Sequence, residues 1–347
     1  MQTFLDQPKT DRRIAFEQTA ARKGIVASSV EKDFWVCWAL MELFGMPALR
    51  ESLVFKGGTS LSKAWGLIDR FSEDIDLTID RRSLGFVGDR SPETATKGQR
   101  AKLLKRLRGA CRERVQREVL PYLEERIRFV LKGENAQIEI DEHDRDGQTL
   151  LLRYPALVGS QSPPYVTQAV KIEFGARSDP WPTERRKVCC FVNESFPEQF
   201  AKGGFEVVAL LPSRTFLEKV MALHEEGCRP IAKGRALRMA RHYYDIHRLF
   251  EQGVAEEALK TPHLLRQTAQ HREVYFRQSW MDYDTLRPGR LRIVPGSEQE
   301  AAWKADYQAM GPEMFVSVPP SFEALMKSAR EIERRVNEVD WLEDPPS

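Results

Sequence analysis

The residues whose types and spacing best suit chemistry lie in 55-FKGGTSLSKAWGLIDRFSEDIDLTID-80. Asp74, Asp76 and Asp80 recur at even intervals, and neighbouring carboxylates of such a strand leave one face about 6.6 Å apart along the chain. Left alone they repel, whereas a shared divalent cation makes the repulsion a binding site. Oxygen-only donors suit a hard ion such as Mg²⁺, and two metals about 4 Å apart can clamp the attacking and leaving oxygens of a phosphoryl transfer. Upstream, Gly57 and Gly58 read as a turn, with Thr59 or Ser60 capping the helix that follows. Backbone N–H groups at a glycine-lined helix start cradle phosphate, and Thr59 and Ser60 add hydroxyl donors. A triphosphate seated there lies beside metal-bearing acids, the arrangement nucleotidyl transfer needs. Taken alone, the glycine pair is an ordinary turn and the acids an ordinary exposed strand face. In this order they favour a site. The spacing of GGTSLSK excludes the GxxxxGK[ST] phosphate loop.

The elements that must position these groups follow from periodicity. Leu53, Val54 and Phe55 form a short buried strand stopped by the glycines, and Leu61, Ala64, Trp65 and Ile68 mark one buried helix face. From Asp74 to Asp80 the chain alternates strictly, with Ile75, Leu77 and Ile79 opposite the acids. Residues 12–46 read as helix, as do 97–130, with Leu103, Leu107, Cys111 and Val115 on the latter's apolar stripe. Strands are expected over 136–141 and 149–157 around an Asp146-Gly147 turn, then over 166–175, 187–192 and 205–212. Helices follow over 213–226, 235–252, 255–271 and 321–340, with a loop near 287–296. In 170-VKIEF-174, Lys171 and Glu173 share a face opposite three apolar residues, which by itself reads as a cross-strand surface ion pair. Thr215-Phe216-Leu217-Glu218 offers a capping box. Asp245 has Arg241 and Arg248 at helical spacing for an ordinary pair.

Phe55-Lys56-Gly57-Gly58-Thr59-Ser60-Leu61-Ser62-Lys63, followed by Arg70-Phe71-Ser72-Glu73-Asp74-Ile75-Asp76-Leu77, resembles the AbiEii/AbiGii toxin family of the DNA polymerase β-like nucleotidyltransferase superfamily. Glu31-Lys32-Asp33-Phe34-Trp35 also resembles that family's N-terminal pattern. The resemblance implies an α+β fold, a nucleotidyltransferase core with a mixed or antiparallel sheet flanked by helices, followed by a C-terminal helical domain that contributes site residues. It places Gly57, Gly58, Thr59 and Ser60 on the nucleotide's phosphates and Asp74 and Asp76 on metal. Glu173, within a K-I-E-x-G-x-R run, is implied as a third acid that binds metal or orients a neighbour. Lys219, in F-x-E-K-x-x-A-L, is implied to serve nucleotide phosphates, and Asp245, in a downstream Y-D run, is implied as a further catalytic residue. Cofactors are then Mg²⁺ or Mn²⁺, with an NTP as substrate. The expected function is that of the toxin in a bacterial toxin–antitoxin pair used in phage defence, with a cognate antitoxin as partner. The acceptor hydroxyl is expected at the 3′ end of tRNA. The alternatives are transfer to a protein hydroxyl and a nucleotide- or partner-binding module without turnover. A glycosyltransferase also uses DxD, but the glycine turn directly upstream argues against it.

At 347 residues and 41% apolar the chain can bury a sizeable core, and a boundary near 205–212 suggests domains of 1–208 and 209–347. Lys plus Arg at 53 against Asp plus Glu at 51 leaves +2, so only the distribution of charge informs about partners. From Lys97 to Arg117 nine cations face Glu113 alone, by charge pattern a solvated helix face and, in a nucleotidyltransferase, a track for RNA phosphates. Arg229, Lys233, Arg235, Arg238 and Arg241 form a second basic set. Five cysteines without CxxC spacing suggest neither disulfides nor zinc, and His242 and His247 lie off one helical face. The polar start MQTFLDQPKTDRR lacks a signal-peptide core and no apolar run spans a bilayer, so a cytoplasmic protein without membrane contact is expected.

Overall fold

A computed structural model of the chain describes residues 1–70, 74–133, 135–159, 169–234, 236–315 and 318–340, excepting the side chains of 231 and 311–313. The chain divides into two compact units, Met1–Trp65 with Phe71–Ala209, and Gly66–Arg70 with Leu210–Ser347.

In the first unit, the single helix expected over 12–46 is two helices, α2 (Lys9–Lys23) and α3 (Ala27–Gly45), preceded by α1 (Gln2–Leu5). Gly24 ends α2 at φ 67, a left-handed conformation that costs glycine little. α3 is buried along most of its length: Phe34, Trp35 and Trp38 pack with Phe4, Phe16 and Tyr154, the Trp35 and Tyr154 rings stacking at 5.6 Å. Its charged residues Glu31 and Asp33 are buried too, and both are satisfied. Glu31 accepts from the N–H groups of Leu157 and Val158 at 2.8 and 3.2 Å, while burial pushes its carboxyl up to about 7. Asp33 accepts from Phe191 N at 2.7 Å and pairs with Lys63, so α3 braces the helix that follows the glycine turn.

That turn joins β1 (Leu53–Lys56) to α4 (Gly57–Lys63), and β2 (Asp74–Ile79) follows. Next come α5 (Lys97–Arg114) and α6 (Leu120–Leu131), joined by a π-helical turn over Val115–Val119. Then come β3 (Gln137–Ile140), β4 (Thr149–Arg153), β5 (Ala169–Gly175), β6 (Thr183–Val188), α7 (Phe191–Ser195) and β7 (Phe205–Leu210). The seven strands make one mixed sheet in the order β3-β4-β5-β2-β1-β7-β6. β1 runs antiparallel to β2 and parallel to β7, and β2 runs parallel to β5. The strand expected over 187–192 is displaced: the exposed, charged run Thr183–Val188 is the strand, and Phe191 already opens a helix. Residues 166–168 of the strand expected over 166–175 lie outside the described residues.

The second unit is helical: α8 (Pro212–Gly227), α9 (Arg241–Glu251), α10 (Val254–Leu259), α11 (Pro262–Tyr275), α12 (Ser297–Met314) and α13 (Phe322–Asn337). α8 starts at Pro212, which suits a first helical position. Thr215 therefore lies inside the helix, and Glu218 pairs with Arg214 at 3.1 Å in place of the expected capping box. Pro262 opens a new helix and splits the one expected over 255–271. α12 was not anticipated; it buries Trp303, Tyr307 and Met310, and Trp303 meets Tyr243 edge-on at 4.9 Å. All five cysteines are free. Among the described residues no helix is long and apolar enough to cross a membrane.

Candidate active site

In the first unit the sheet register assembles the acids. Lys56 lies opposite Asp76 across the β1–β2 pair, Asp76 opposite Glu173 and Asp74 opposite Lys171 across β2–β5, and Thr149 opposite Glu173 across β4–β5. Residues in register share a sheet face, so Lys56, Asp76, Glu173 and Thr149 form one row across four strands, beside a row holding Asp74 and Lys171. Gly57 sits at φ 77, and a Cβ there would overlap the Asp76 carboxylate. The glycine is thus required twice, by its left-handed backbone and by the acid lying against it. The glycine turn and Asp76 are adjacent within one unit.

α4 begins at Gly57 itself and has no side-chain cap, which corrects the expected start at Thr59 or Ser60. The positive φ of Gly57 lets the chain pass from strand to helix without a capping hydroxyl. Thr59 Oγ1 instead donates to the Asp74 carbonyl, tying α4 to β2. Ser60 is 2% exposed and its hydroxyl has no hydrogen-bond partner. Such an orphan costs about 1–3 kcal/mol when left unmet, and a bound group would satisfy it. First-turn N–H groups likewise have no intrahelical acceptor. The helix ends at Lys63, so Ile68 is not part of its stripe, and Trp65 is half-buried with the Arg186 guanidinium 4.6 Å over its ring.

Among the described residues no three His, Cys, Asp or Glu side chains are gathered as a formed metal centre. Glu173 Oε1 pairs with Lys171 Nζ at 2.5 Å, along its own strand and not across strands. Against burial, which pulls it down, Glu173 and then Asp74 and Asp141 hold the Lys171 ammonium above the ordinary lysine range. A cation is therefore already stabilised by the field of these acids. The oxygen donors of Asp74 and Asp76 are of the type a hard divalent ion takes, and the Gly57 turn against Asp76 and the orphan Ser60 hydroxyl suit a phosphate. Phe71, Ser72 and Glu73 of the family-like stretch lie outside the described residues.

The second unit holds a separate constellation. Asp245 is fully buried; Arg70 donates to it from Nε at 2.6 Å and from Nη2 at 2.9 Å, and Lys219 Nζ lies 2.8 Å from Oδ2. Burial alone would raise the Asp245 carboxyl, but Arg70 first and Lys219 second hold it well below the usual carboxylate range. Burial pulls Lys219 below the ordinary lysine range, with Asp245 opposing and Arg70 assisting, because one carboxylate cannot neutralise two cations. His242, 3.4 Å from Lys219 Nζ, is held well below its usual value by burial and these cations and stays neutral. Of the helical-spacing partners expected for Asp245, Arg248 is engaged elsewhere, with Asp69 at 2.9 Å and Glu251 at 3.0 Å. Arg70 escaped the sequence reading although it stands in the quoted stretch, since its acid lies 175 residues away. Asp245→Asn, which strands two buried cations, is expected to cost about 3–5 kcal/mol. Arg70→Met, which leaves a one-to-one pair, should cost about 1–3 kcal/mol. Chemical denaturation checks the order, and the reverse order removes the account of this cluster.

Of the second basic set, Arg229 and Lys233 lie 5.2 and 4.6 Å from the Trp280 ring centre, and Arg235 lies outside the described residues.

Comparison with known proteins gives three findings. The family model described as nucleotidyl transferase AbiEii toxin, type IV toxin–antitoxin system, matches residues 38–328. No curated protein matches the chain. Among solved structures the chain is similar to MenT4, a nucleotidyltransferase toxin of Mycobacterium tuberculosis H37Rv, at 18% identity, covering 93% of this chain and 97% of that one with a TM-score of 0.40. It is also similar to JHP933 of Helicobacter pylori, at 15% identity, covering 89% and 94% with a TM-score of 0.40.

Proposed function

The chain belongs to the AbiEii nucleotidyltransferase toxin family of type IV toxin–antitoxin systems, and from that premise we propose that it transfers NMP from an NTP to the 3′ hydroxyl of tRNA. The observation that carries this reading is the contact geometry of Gly57 with Asp76, in a row that continues to Glu173. The acceptor oxygen forms a bond to the α-phosphorus, the bond to the β-phosphate's bridging oxygen breaks, and pyrophosphate leaves. First-turn N–H groups of Gly57 and Gly58 and the Ser60 hydroxyl take the phosphates, while Thr59 holds α4 to β2 through the Asp74 carbonyl. Mg²⁺ or Mn²⁺ held by Asp74 and Asp76 would supply neutralisation of phosphate charge.

Glu173 is assigned the acceptor's proton, at Oε2, because Lys171 takes Oε1 and Asp76 stands beside it in register. Asp245 is a poor proton acceptor: both its oxygens are occupied and its carboxyl is held far down. Its role is instead to hold the Lys219 ammonium, which the family pattern assigns to the nucleotide's phosphates. The cognate antitoxin and the role in phage defence come with the family reading.

Purified protein incubated with each α-labelled NTP, Mg²⁺, and either total tRNA or total protein tests the proposal, with Asp76→Ala as control. Label in tRNA that depends on Asp76 is the expected result. Label in protein alone makes the enzyme a protein nucleotidylating enzyme, and NTP binding without label anywhere makes it a binding module.

A further inference from the structure

The structure separates the charge of α5 by face. Leu107, Cys111 and Val115, four residues apart, are fully buried, and the helix packs on β5. On the opposite side stand Lys102, Lys105, Arg106 and Arg112, all exposed, within about 120° of arc and about 15 Å of helix length at 100° and 1.5 Å per residue. From Lys97 to Arg112 the sequence contains no acid at all. The acid pairs near the helix belong to other cations: Arg108 with Asp146, Arg114 with Glu118, and Arg117 with Glu113. Among the described residues none of the four exposed cations has a carboxylate partner.

A merely solvated helix face interleaves signs at three- and four-residue spacing, each pair contributing about 0.3 kcal/mol, whereas like charges at that spacing cost as much. Here a chain of net charge +2 gathers same-sign neighbours on one stripe. The helix is also fixed to the sheet whose strands carry the acidic row. Gln148 Nε2 donates to the Arg108 carbonyl at 2.9 Å, and Gln116 Nε2 to the Gly147 carbonyl at 3.1 Å. The Gln148 carbonyl accepts from the Phe174 N–H at 3.1 Å, so the contact holds α5 to the β4–β5 ladder.

We propose that the exposed stripe Lys102, Lys105, Arg106 and Arg112 of α5 binds the phosphate backbone of the RNA acceptor. The proposal rests on the RNA-acceptor reading above. Its chemistry is neutralisation of consecutive phosphates by long cations, which is indifferent to base sequence and strongly dependent on salt.

The test compares wild type with Lys102→Gln/Lys105→Gln/Arg106→Gln/Arg112→Gln, exposed helix positions where glutamine keeps helix propensity. A control of equal charge change carries Arg266→Gln, Lys260→Gln, Lys327→Gln and Arg330→Gln, all in the second unit. Binding of total tRNA is measured from 50 to 300 mM NaCl, and label transfer from NTP is measured separately. The expected result is a fall of about 3 in the slope of log affinity against log salt for the stripe variant, at about 0.7–0.9 per phosphate contact, with the control unchanged. An unaltered slope, an equal fall in the control, no tRNA binding by wild type, or displacement by polyglutamate as effective as by RNA each overturns the stripe. Label found only in protein, with the binding result as expected, overturns the acceptor reading and leaves the RNA-binding stripe standing.

Discussion

Asp76→Ala is expected to lower nucleotide transfer by about 10³-fold or more, a loss of about 4 kcal/mol of transition-state stabilisation, with the melting temperature within a few degrees of wild type. The residue is half-buried on β2, against Gly57 on one side and beside Glu173 on the other. Removing it takes away an oxygen of the proposed metal site and leaves the apolar partners of the strand, Ile75 and Leu77, in place. It also relieves repulsion from Asp74, so the fold has no electrostatic reason to weaken. Rates of label incorporation and a thermal melt on the same preparation check both halves. A variant that keeps a tenth of the wild-type rate would remove Asp76 from the chemistry, and with it the site proposed here.

Gly57→Ala is the second large effect, and it separates backbone strain from active-site geometry. A left-handed alanine costs roughly 1–2 kcal/mol wherever it occurs. At Gly57 the new methyl must also displace the Asp76 carboxylate, whose oxygen occupies that space. The comparison is Gly24→Ala, at φ 67 with open space around it. Both variants should lose similar backbone stability in denaturant. Only Gly57→Ala should lose transfer, by about 10²-fold, since displacing a catalytic group by about 1 Å can cost that much. Equal activity in the two variants would show that the approach of Gly57 to Asp76 has no functional weight.

The local pattern carried much of the architecture. Strict alternation from Asp74 and the glycine stop after Phe55 marked β2 and the end of β1, and the mixed sheet with flanking helices and a C-terminal run of helices is the fold expected. Where the reading slipped, the cause was local and physical. The charged run Thr183–Val188 is a strand of the sheet despite its polar side chains, so hydrophobic spacing shifted the strand onto Cys189 and Cys190. Thr59 looked like a cap because threonine often is one, yet a glycine at positive φ made a cap unnecessary.

Sequence alone determined which residues have chemistry to offer: a glycine turn, acids on one strand face, and a run of cations, each encoded within a few residues of backbone periodicity. Only the tertiary structure decided who meets whom. The parallel β2–β5 pairing sets Asp76 beside Glu173, almost a hundred residues onward, and long-range pairing register depends on how whole faces pack. Asp245 had two arginines within helical reach, but burial at 0% exposure demanded fuller neutralisation than a surface pair supplies, and Arg70 and Lys219 provide it. A buried charge selects its partners by desolvation and geometry, and those are properties of the folded interior.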